Sequence, residues 1–214
     1  MPLAAAIVPV TPFQQNCALL WDEESKRGVV VDPGGDAPRI EEAIGKLGLT
    51  VERILLTHGH IDHAGAAVEL QEALGGIPIE GPHQADAFLL RDLPAQGARF
   101  GMDARAVTPT RWLAEGDLVE IAGEMFGVLH CPGHTPGHVV FVAPSLGVAI
   151  VGDVLFRGSV GRTDFPYGDQ DALLAAIRDK LFPLGDDIAF LCGHGPGSTF
   201  GAERRTNPFV GDGA

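Results

Sequence analysis

The sequence has few cysteines, few basic residues and no long hydrophobic run, and each of these shortages excludes a class of protein. Its three cysteines, Cys17, Cys131 and Cys192, lie far apart and form no Cys-x-x-Cys pair. An odd number of scattered cysteines excludes a disulfide framework and favours a reducing compartment. We therefore expect a cytoplasmic protein that folds without disulfide bonds.

Positive charge is scarce as well. The 214 residues include 15 Lys and Arg against 28 Asp and Glu, so the formal net charge is −13. Such a chain lacks the basic surface that binds nucleic acid or an anionic membrane. No apolar run approaches the roughly 18 residues of a membrane-spanning helix, and the apolar N-terminus has no basic segment typical of a signal peptide. We expect neither a nucleic acid nor a membrane as a partner.

The apolar residues that are present predict an α/β fold with a substantial core. They make up 45% of the chain, in short runs bounded by Gly, Pro and Asp that indicate strands and in helically spaced patterns that indicate helices. Predicted strands cover 5–10, 17–21, 28–31, 54–56, 77–79, 118–121, 126–130, 139–142, 148–151 and 188–191, and predicted helices cover 38–47, 64–74, 83–93, 171–181 and 198–205. We interpret 94–109 as an irregular, mobile flap. Because no repeat or linker divides the chain, we expect residues 1–214 to form one domain.

The densest group of chemically active side chains follows the predicted strand at 54–56. Three histidines and one carboxylate fall within six residues, at His58, His60, Asp62 and His63. Imidazole and carboxylate are common metal ligands, and α/β proteins place their sites where a strand opens into a loop before a helix. Helix capping by Asp62 explains one of these residues and not the three histidines. The segment predicts a metal site, and four ligands this close suit two adjacent ions better than one.

Three further ligand-type residues stand beside glycine at the ends of predicted strands, at His134, Asp153 and His194. Glycine allows close approach of the backbone. Each residue alone is a weak signal, since Gly-His and Gly-Asp pairs occur by chance. Together with the first group they form a set of seven candidate ligands.

This set resembles the signature of the metallo-β-lactamase fold superfamily. The motif His-x-His-x-Asp-His is matched by the first four residues, and the later three follow in the same order. The resemblance implies an α/β fold in which two mixed β-sheets, flanked by helices, form a four-layer αββα sandwich. It also implies that His58, His60 and His134 hold one ion, that Asp62, His63 and His194 hold a second, and that Asp153 bridges the two.

Within that superfamily the chain is most similar to the short, single-domain bacterial type of glyoxalase II, or hydroxyacylglutathione hydrolase. Segments 11–16, 131–138, 161–166 and 207–209 carry the similarity, as does the aspartate at the bridging position. The resemblance implies hydrolysis of S-D-lactoylglutathione to glutathione and D-lactate by a metal-bridging hydroxide, which Asp62 and Asp153 orient. It implies two divalent ions, with zinc as the first expectation and iron or manganese as alternatives. We expect an acylglutathione thioester as the small-molecule partner, and a monomer or small homo-oligomer.

The predicted substrate contacts depart from the longer glyoxalase II enzymes. Those enzymes have a C-terminal glutathione-binding helical domain, which this chain has no room for, and a lysine and a tyrosine where this sequence has Arg162 and Asp164. Arg162 can bind a substrate carboxylate or form a surface salt bridge, and Phe165 can line a substrate pocket or belong to the core. We expect both to contact substrate, with a weaker or broader thioester preference than in the longer enzymes.

An alternative function follows from the same region. Residues 161–165 also resemble the persulfide dioxygenases of this superfamily, which use a single iron. By that resemblance His58, His134 and Asp153 would hold the iron as a two-histidine, one-carboxylate face, and the substrate would be glutathione persulfide. We expect His138 to support a neighbouring ligand rather than bind metal itself.

Overall fold

The computed structural model describes residues 3–214, in which thirteen strands form two large sheets and one small hairpin. The first sheet has the order β1-β2-β3-β4-β5 and consists of β1 (Leu3–Val10), β2 (Gln15–Asp22), β3 (Arg27–Val31), β4 (Thr50–Leu55) and β5 (Ile79–Glu80). Its first three strands are antiparallel, whereas β3, β4 and β5 are parallel. The sheet is therefore mixed.

The second sheet is also mixed. The remaining strands are β6 (Leu118–Ile121), β7 (Glu124–His130), β8 (Val139–Ala143), β9 (Val148–Gly152), β10 (Leu155–Phe156), β11 (Ser159–Val160), β12 (Ala189–Cys192) and β13 (Ser198–Thr199). The order in the sheet is β13-β12-β9-β8-β7-β6, while β10 and β11 pair as a separate hairpin. Strands β9 and β12 run parallel, so both end at the same edge of the sheet.

Helices cover the outer faces of both sheets. They are α1 (Ala37–Leu47), α2 (Ile61–Ala64), α3 (Ala67–Ala73), α4 (Ala87–Arg91), α5 (Leu93–Phe100), α6 (Gln170–Ala176) and α7 (Phe200–Thr206). Helix α6 begins where the side chain of Asp169 accepts a hydrogen bond from the backbone N–H of Ala172, and it continues into a π-helical turn at Ile177–Leu181. Among residues 3–214, no helix combines the length and the apolar character needed to cross a bilayer.

Three layers of buried side chains hold the sheets and helices together. The layer between the sheets includes Leu20 and Val31 from the first sheet and Phe126 and Phe141 from the second. A second layer packs α1 and α3 on the first sheet, and a third packs α6 and α7 on the other. Burial of these apolar side chains is the main favourable term in folding. The arrangement confirms the predicted four-layer αββα sandwich.

The structure corrects two details of the predicted helices. Residues 94–109 are not irregular throughout, because Leu93–Phe100 forms α5. Pro94 lies in the first turn of this helix, where no intrahelical partner is needed for the missing N–H, so proline begins the helix here rather than excluding it. The helix predicted at 64–74 is interrupted after Ala64, where Gly65 packs closely against the carbonyl of Gly34.

Candidate metal centre

The seven candidate ligands meet at one edge of the sandwich, where strands of both sheets end. His58 and His60 follow β4, and Asp62 and His63 lie on the short helix α2. His134 lies in the loop between β7 and β8, Asp153 follows β9, and His194 follows β12. Strand ends therefore bring together residues that are up to 136 positions apart in the sequence.

Three of the histidines form one group. The Nδ1 atom of His60 lies 3.2 Å from Nε2 of His58 and 3.0 Å from Nε2 of His134. Burial lowers the pKa of His58 well below its usual value, and burial together with His134 lowers the pKa of His60 to about 3. The rings are therefore neutral at neutral pH, the form in which imidazole binds metal.

The outer nitrogen of each ring in this group has a hydrogen-bond partner. Nδ1 of His134 donates to the carbonyl of Arg162 at 2.8 Å, and Nδ1 of His58 lies 3.1 Å from the hydroxyl oxygen of Thr57. Nε2 of His60 lies 2.9 Å from the hydroxyl oxygen of Tyr167, which can accept a hydrogen bond from it. These partners direct the three remaining lone pairs toward one point.

Two histidines and one aspartate, Asp62, form a second group. Nε2 of His63 lies 3.3 Å from Oδ1 of Asp153 and 3.9 Å from Oδ2 of Asp62. Nε2 of His194 lies 3.2 Å from Oδ2 of Asp62. Burial alone would lower the pKa of His63, but the carboxylates of Asp153 and Asp62 raise it well above its usual value. The second group thus concentrates negative charge beside imidazole nitrogens.

Asp153 lies between the two groups. Its Oδ2 atom is 3.6 Å from Nε2 of His134 in the first group and 3.6 Å from Nε2 of His194 in the second. Burial would raise its pKa, but the imidazole of His63 holds the pKa well below its usual range. The carboxylate is therefore ionised at neutral pH and in reach of both groups.

Unsatisfied polar atoms show that this cluster suits cations. Nε2 of His63 and Oδ1 of Asp153 are buried and have no hydrogen-bond partner among residues 3–214. Nδ1 of His63 is directed at Asp32, 2.9 Å away, which leaves its Nε2 facing the carboxylates of Asp153 and Asp62. Lone pairs that face each other in a buried site are costly unless a proton or metal ion lies between them. Nitrogen and oxygen donors of this kind suit zinc, iron and manganese.

Two buried aspartates that the sequence did not single out hold the loops of the cluster in place. Asp32 accepts hydrogen bonds from the backbone N–H and the hydroxyl of Thr57, at 2.7 and 2.6 Å. It follows β3 directly, as Asp153 follows β9, so the pattern at strand ends that identifies Asp153 applies to it as well. Asp86 accepts hydrogen bonds from the backbone N–H groups of Gly59 and Gly137 and from the hydroxyl of Thr135. It stands in a predicted helix, where no sequence signal identifies it.

Supporting groups from the second sheet complete the surroundings. Nε2 of His138 accepts a hydrogen bond of 3.0 Å from the backbone N–H of Asp153, so this histidine lies against a candidate ligand, as expected. Gly193 gives the two groups room, because a Cβ at this position would lie 2.1 Å from Oδ1 of Asp153. The three cysteines are buried and free.

A cleft of about 1040 Å³ opens onto the cluster. Its lining includes the aromatic side chains of Phe13, Phe88, Phe100, Phe156, Phe165 and Tyr167. The rings of Phe165 and Tyr167 stack at 5.4 Å, and Phe165 lies 4.9 Å from the ring of His60. The cleft thus offers apolar walls beside a highly polar floor, the usual composition of a small-molecule site.

Comparisons with known proteins agree with this geometry. Residues 10–194 match the sequence profile of the Metallo-beta-lactamase superfamily. A Haemophilus influenzae protein named hydroxyacylglutathione hydrolase GloC is 49% identical over 206 residues, which cover 95% of this chain and 96% of that protein.

Two solved structures are similar over nearly their whole length. BLEG-1, described as a B3 metallo-beta-lactamase, matches with a TM-score of 0.88 and 36% identity, covering 97% of this chain and 99% of its own. TTHA1623, solved in a di-iron-bound form, matches with a TM-score of 0.85 and 39% identity, covering 96% of this chain and 100% of its own. With the histidine and aspartate cluster, these matches identify an enzyme that uses divalent metal. The chain is a metallohydrolase and belongs to the metallo-beta-lactamase superfamily.

Proposed function

We propose that this protein hydrolyses acylglutathione thioesters such as S-D-lactoylglutathione, using two divalent metal ions held by the seven-residue cluster. The observation that carries the proposal is the pair of complete ligand groups on either side of Asp153. The name of the Haemophilus influenzae relative, hydroxyacylglutathione hydrolase, supports the thioester as substrate. Zinc is the first expectation for the metal, and the di-iron form of TTHA1623 supports iron as an alternative.

The two groups divide the ligands between the ions. His58, His60 and His134 would hold the first ion, because their free nitrogens converge. Asp62, His63 and His194 would hold the second, since they form an equally compact group. Asp153 would contact both. When bound, the two ions would supply Lewis acidity for the thioester carbonyl and lower the pKa of a water molecule toward neutrality.

The carboxylates supply the remaining chemistry of the attack. Asp62 and Asp153 are ionised and act as hydrogen-bond acceptors, so they can orient the attacking water toward the carbonyl carbon. The thiolate that leaves is stable enough to depart without a general acid. Burial raises the pKa of Cys131 to about 12 and that of Cys192 to about 11, so these thiols are protonated at neutral pH and supply no nucleophile.

The aromatic wall would position the substrate. Phe165 lies beside His60 and stacks on Tyr167, and both rings line the cleft. Apolar contact with such a wall would hold the acyl group or the thiol stem near the cluster. This placement supports Phe165 as a substrate contact.

The test combines metal analysis with thioester hydrolysis on one purified sample. We expect two divalent ions per chain and hydrolysis of S-D-lactoylglutathione. His63→Ala is expected to lose one ion and at least 100-fold in kcat, on the scale of removing a charge-stabilising group. His83→Gln is the matched control, because His83 stacks on His130 outside the cluster. A folded protein that retains no metal would contradict the proposal.

Measurements on the same sample distinguish the alternative function from thioester hydrolysis. One iron per chain, no thioester hydrolysis and oxygen uptake with glutathione persulfide would assign a persulfide dioxygenase with His58, His134 and Asp153 as ligands. The persulfide dioxygenases retain much of the ligand motif, so the name of the Haemophilus influenzae relative, and not the second group, favours the hydrolase. Because BLEG-1 is described as a metallo-beta-lactamase, β-lactam hydrolysis is the second activity to assay, with a chromogenic cephalosporin as substrate. We expect the thioester to be hydrolysed with the higher kcat/KM.

A further inference from the structure

Three arginines in the cleft have no partner for their charge. Most lysine and arginine side chains of residues 3–214 form an ion pair with a carboxylate, as Arg53 does with Glu80. Arg91, Arg99 and Arg157 line the cleft and form no side-chain hydrogen bond or ion pair with any residue in that range. The chain carries 28 acidic residues and a net charge of −13, so acidic partners are abundant. The cleft therefore keeps free guanidinium groups on an otherwise acidic protein.

The unpaired arginines come from two different parts of the fold. Arg91 ends α4 and Arg99 lies in the last turn of α5, while Arg157 lies in the turn between β10 and β11.

The fourth arginine of the cleft differs from these three. Arg162 forms two hydrogen bonds with Asp164, from Nε and Nη2, each of 2.9 Å. Its guanidinium also lies over the ring of Phe165, 5.1 Å from the centroid. A substrate carboxylate would have to compete with Asp164 for this group, and the pair contributes no net charge. Arg162, which the sequence favours as a substrate contact, is therefore the least available of the four.

We infer that Arg91, Arg99 and Arg157 bind the anionic thiol half of the substrate through its carboxylates and set the preference for charged over neutral thiols. The inference rests on the proposed thioester hydrolysis. Glutathione carries two carboxylates, whereas a lactoyl group is uncharged, so the cleft's positive charge distinguishes the thiol and not the acyl group. Guanidinium groups bind carboxylates in bidentate geometry, and a group without an internal partner gives up no existing ion pair to do so.

The experiment compares one acyl group on thiols of different charge. The substrates are S-lactoylglutathione, the S-lactoyl ester of the neutral thiol N-acetylcysteamine, and lactoyl-CoA, whose charge lies on phosphates. Each of Arg91→Gln, Arg99→Gln and Arg157→Gln is expected to raise KM for the glutathione ester about five-fold, the scale for a solvent-exposed charge pair. The kcat value and the KM for the neutral ester remain unchanged. Arg178→Gln, an exposed and unpaired arginine outside the cleft, is the matched control.

A binding measurement keeps this test independent of hydrolysis. S-methylglutathione is a thioether and cannot be hydrolysed, and its affinity for the metal-loaded enzyme is measured by calorimetry. We expect the same three variants to weaken binding about five-fold, and we expect added salt to weaken binding to the native protein. If the native protein hydrolyses no thioester but shows this pattern of binding, the proposed function fails, and what stands is the assignment of the three arginines to the carboxylates of a bound glutathione derivative.

Four outcomes would overturn the inference while leaving thioester hydrolysis intact. The variants could raise KM equally for the charged and neutral esters, or not at all. The double variant Arg162→Gln with Asp164→Asn, which removes a neutral pair, could by itself abolish the whole preference for the charged thiol. A lower KM for lactoyl-CoA than for the glutathione ester would assign the arginines to phosphates instead of carboxylates.

Discussion

The side chains behind the candidate ligands decide which ring atoms face the metal. Three of the histidines have a partner for the ring nitrogen that faces away from the cluster. The partners are Asp32 for His63, the carbonyl of Arg162 for His134, and the hydroxyl of Tyr167 for His60. Such partners fix the tautomer and orientation of a metal-binding imidazole. The partner of His60 is the only tyrosine in the chain, so its contribution can be isolated by one substitution.

Replacing Tyr167 with phenylalanine is expected to weaken the binding of the first ion. The change removes one hydroxyl and leaves the ring stacked on Phe165. Loss of a partner that orients a ligand costs about 10-fold in metal affinity, which corresponds to roughly 1.4 kcal/mol. Competition with a chelating dye measures the affinity. Phe88→Leu, which alters a ring packed on Tyr167 without touching the hydrogen bond to His60, is the control and retains native affinity.

A second prediction concerns the buried carboxylate that joins the two loops. Burial raises the pKa of Asp86 to about 6, although the Thr135 hydroxyl and the N–H groups of Gly59 and Gly137 oppose the rise. In the unfolded chain the pKa is about 4, so between about pH 4 and 6 the folded state binds more protons than the unfolded state. The contribution of Asp86 to the free energy of unfolding therefore decreases as the pH rises through this window, by about 3 kcal/mol.

Urea unfolding of metal-free protein at several pH values tests this linkage. The difference in unfolding free energy between the native protein and Asp86→Asn is expected to decline from pH 4 to pH 6 and to remain constant above that range. Metal-free samples are used because protons compete with metal for the candidate ligands, so bound metal would add a pH dependence of its own. Identical pH dependence of the two proteins would show that Asp86 does not take up a proton on folding.

These residues also show how far the sequence predicts the site. All seven candidate ligands stand next to glycine, next to each other or at strand ends, so local patterns reveal them. Asp86 and Tyr167 act on partners that are distant in the chain, as with Tyr167 and His60, 107 positions apart. Only the packing of α4 and of the 161–168 loop against the cluster brings these partners into contact. The role of the seven residues as metal ligands, and that of Asp86 and Tyr167 as their supports, remain predictions that metal analysis can test.

The ends of neighbouring strands place the candidate ligands close together. Strands β9 and β12 are parallel neighbours, so Asp153 and the segment after Cys192 emerge side by side. The turn after β12 passes so close to the cluster that only glycine fits at position 193, since a Cβ would lie 2.1 Å from Oδ1 of Asp153 and 2.5 Å from Cε1 of His63. Backbone proximity thus sets the spacing of the second group.

Gly193→Ala is therefore expected to cost the second ion while leaving the fold intact. The new methyl group must displace Asp153 or His63, so we expect about one metal ion per chain and at least a 10-fold lower kcat, because small misplacements at a reaction centre are costly. Gly195→Ala is the control. Its φ of 70° is unfavourable for alanine, yet a Cβ there would contact nothing within 4 Å. Equal metal loss in both variants would show that the contact of the new methyl group with Asp153 and His63 is not the cause.

Helix α5 shows where prediction at this scale fails. Pro94, Gly97 and the sequence around them have weak helical propensity, which predicts an irregular flap. In the structure Leu93 is buried and the side chain of Gln96 bonds both Ile61 and Leu89, so tertiary contacts hold a short helix that local propensity does not favour. The longer, strongly amphipathic α1 needed no such contacts to be predicted.

At the scale of the whole molecule, the metal centre joins both halves of the sandwich. The first four ligands lie in the segment that follows β4 of the first sheet, and His134, Asp153 and His194 lie in segments that follow strands of the second. The unfolded chain presents no such cluster, so bound metal stabilises the folded state alone. Binding also neutralises buried carboxylates in a chain of net charge −13. The metal ions should therefore contribute to stability as well as to catalysis.

Removing the metal is accordingly expected to lower the melting temperature, with full recovery when metal is restored. At a free metal concentration about 1,000 times Kd, binding adds about 4 kcal/mol per ion. For a domain of this size 1 kcal/mol shifts Tm by roughly 2–4 °C, so loss of one ion lowers Tm by roughly 8–16 °C. Calorimetry measures Tm for the native protein and for His63→Ala, each with and without chelator. The comparison separates the contributions of the two ions to Tm. The variant should show a smaller shift on chelation, because it starts with only the first ion. If chelation removes both ions from the native protein and leaves Tm unchanged, the two sheets hold together without the metal and the cluster has no structural role.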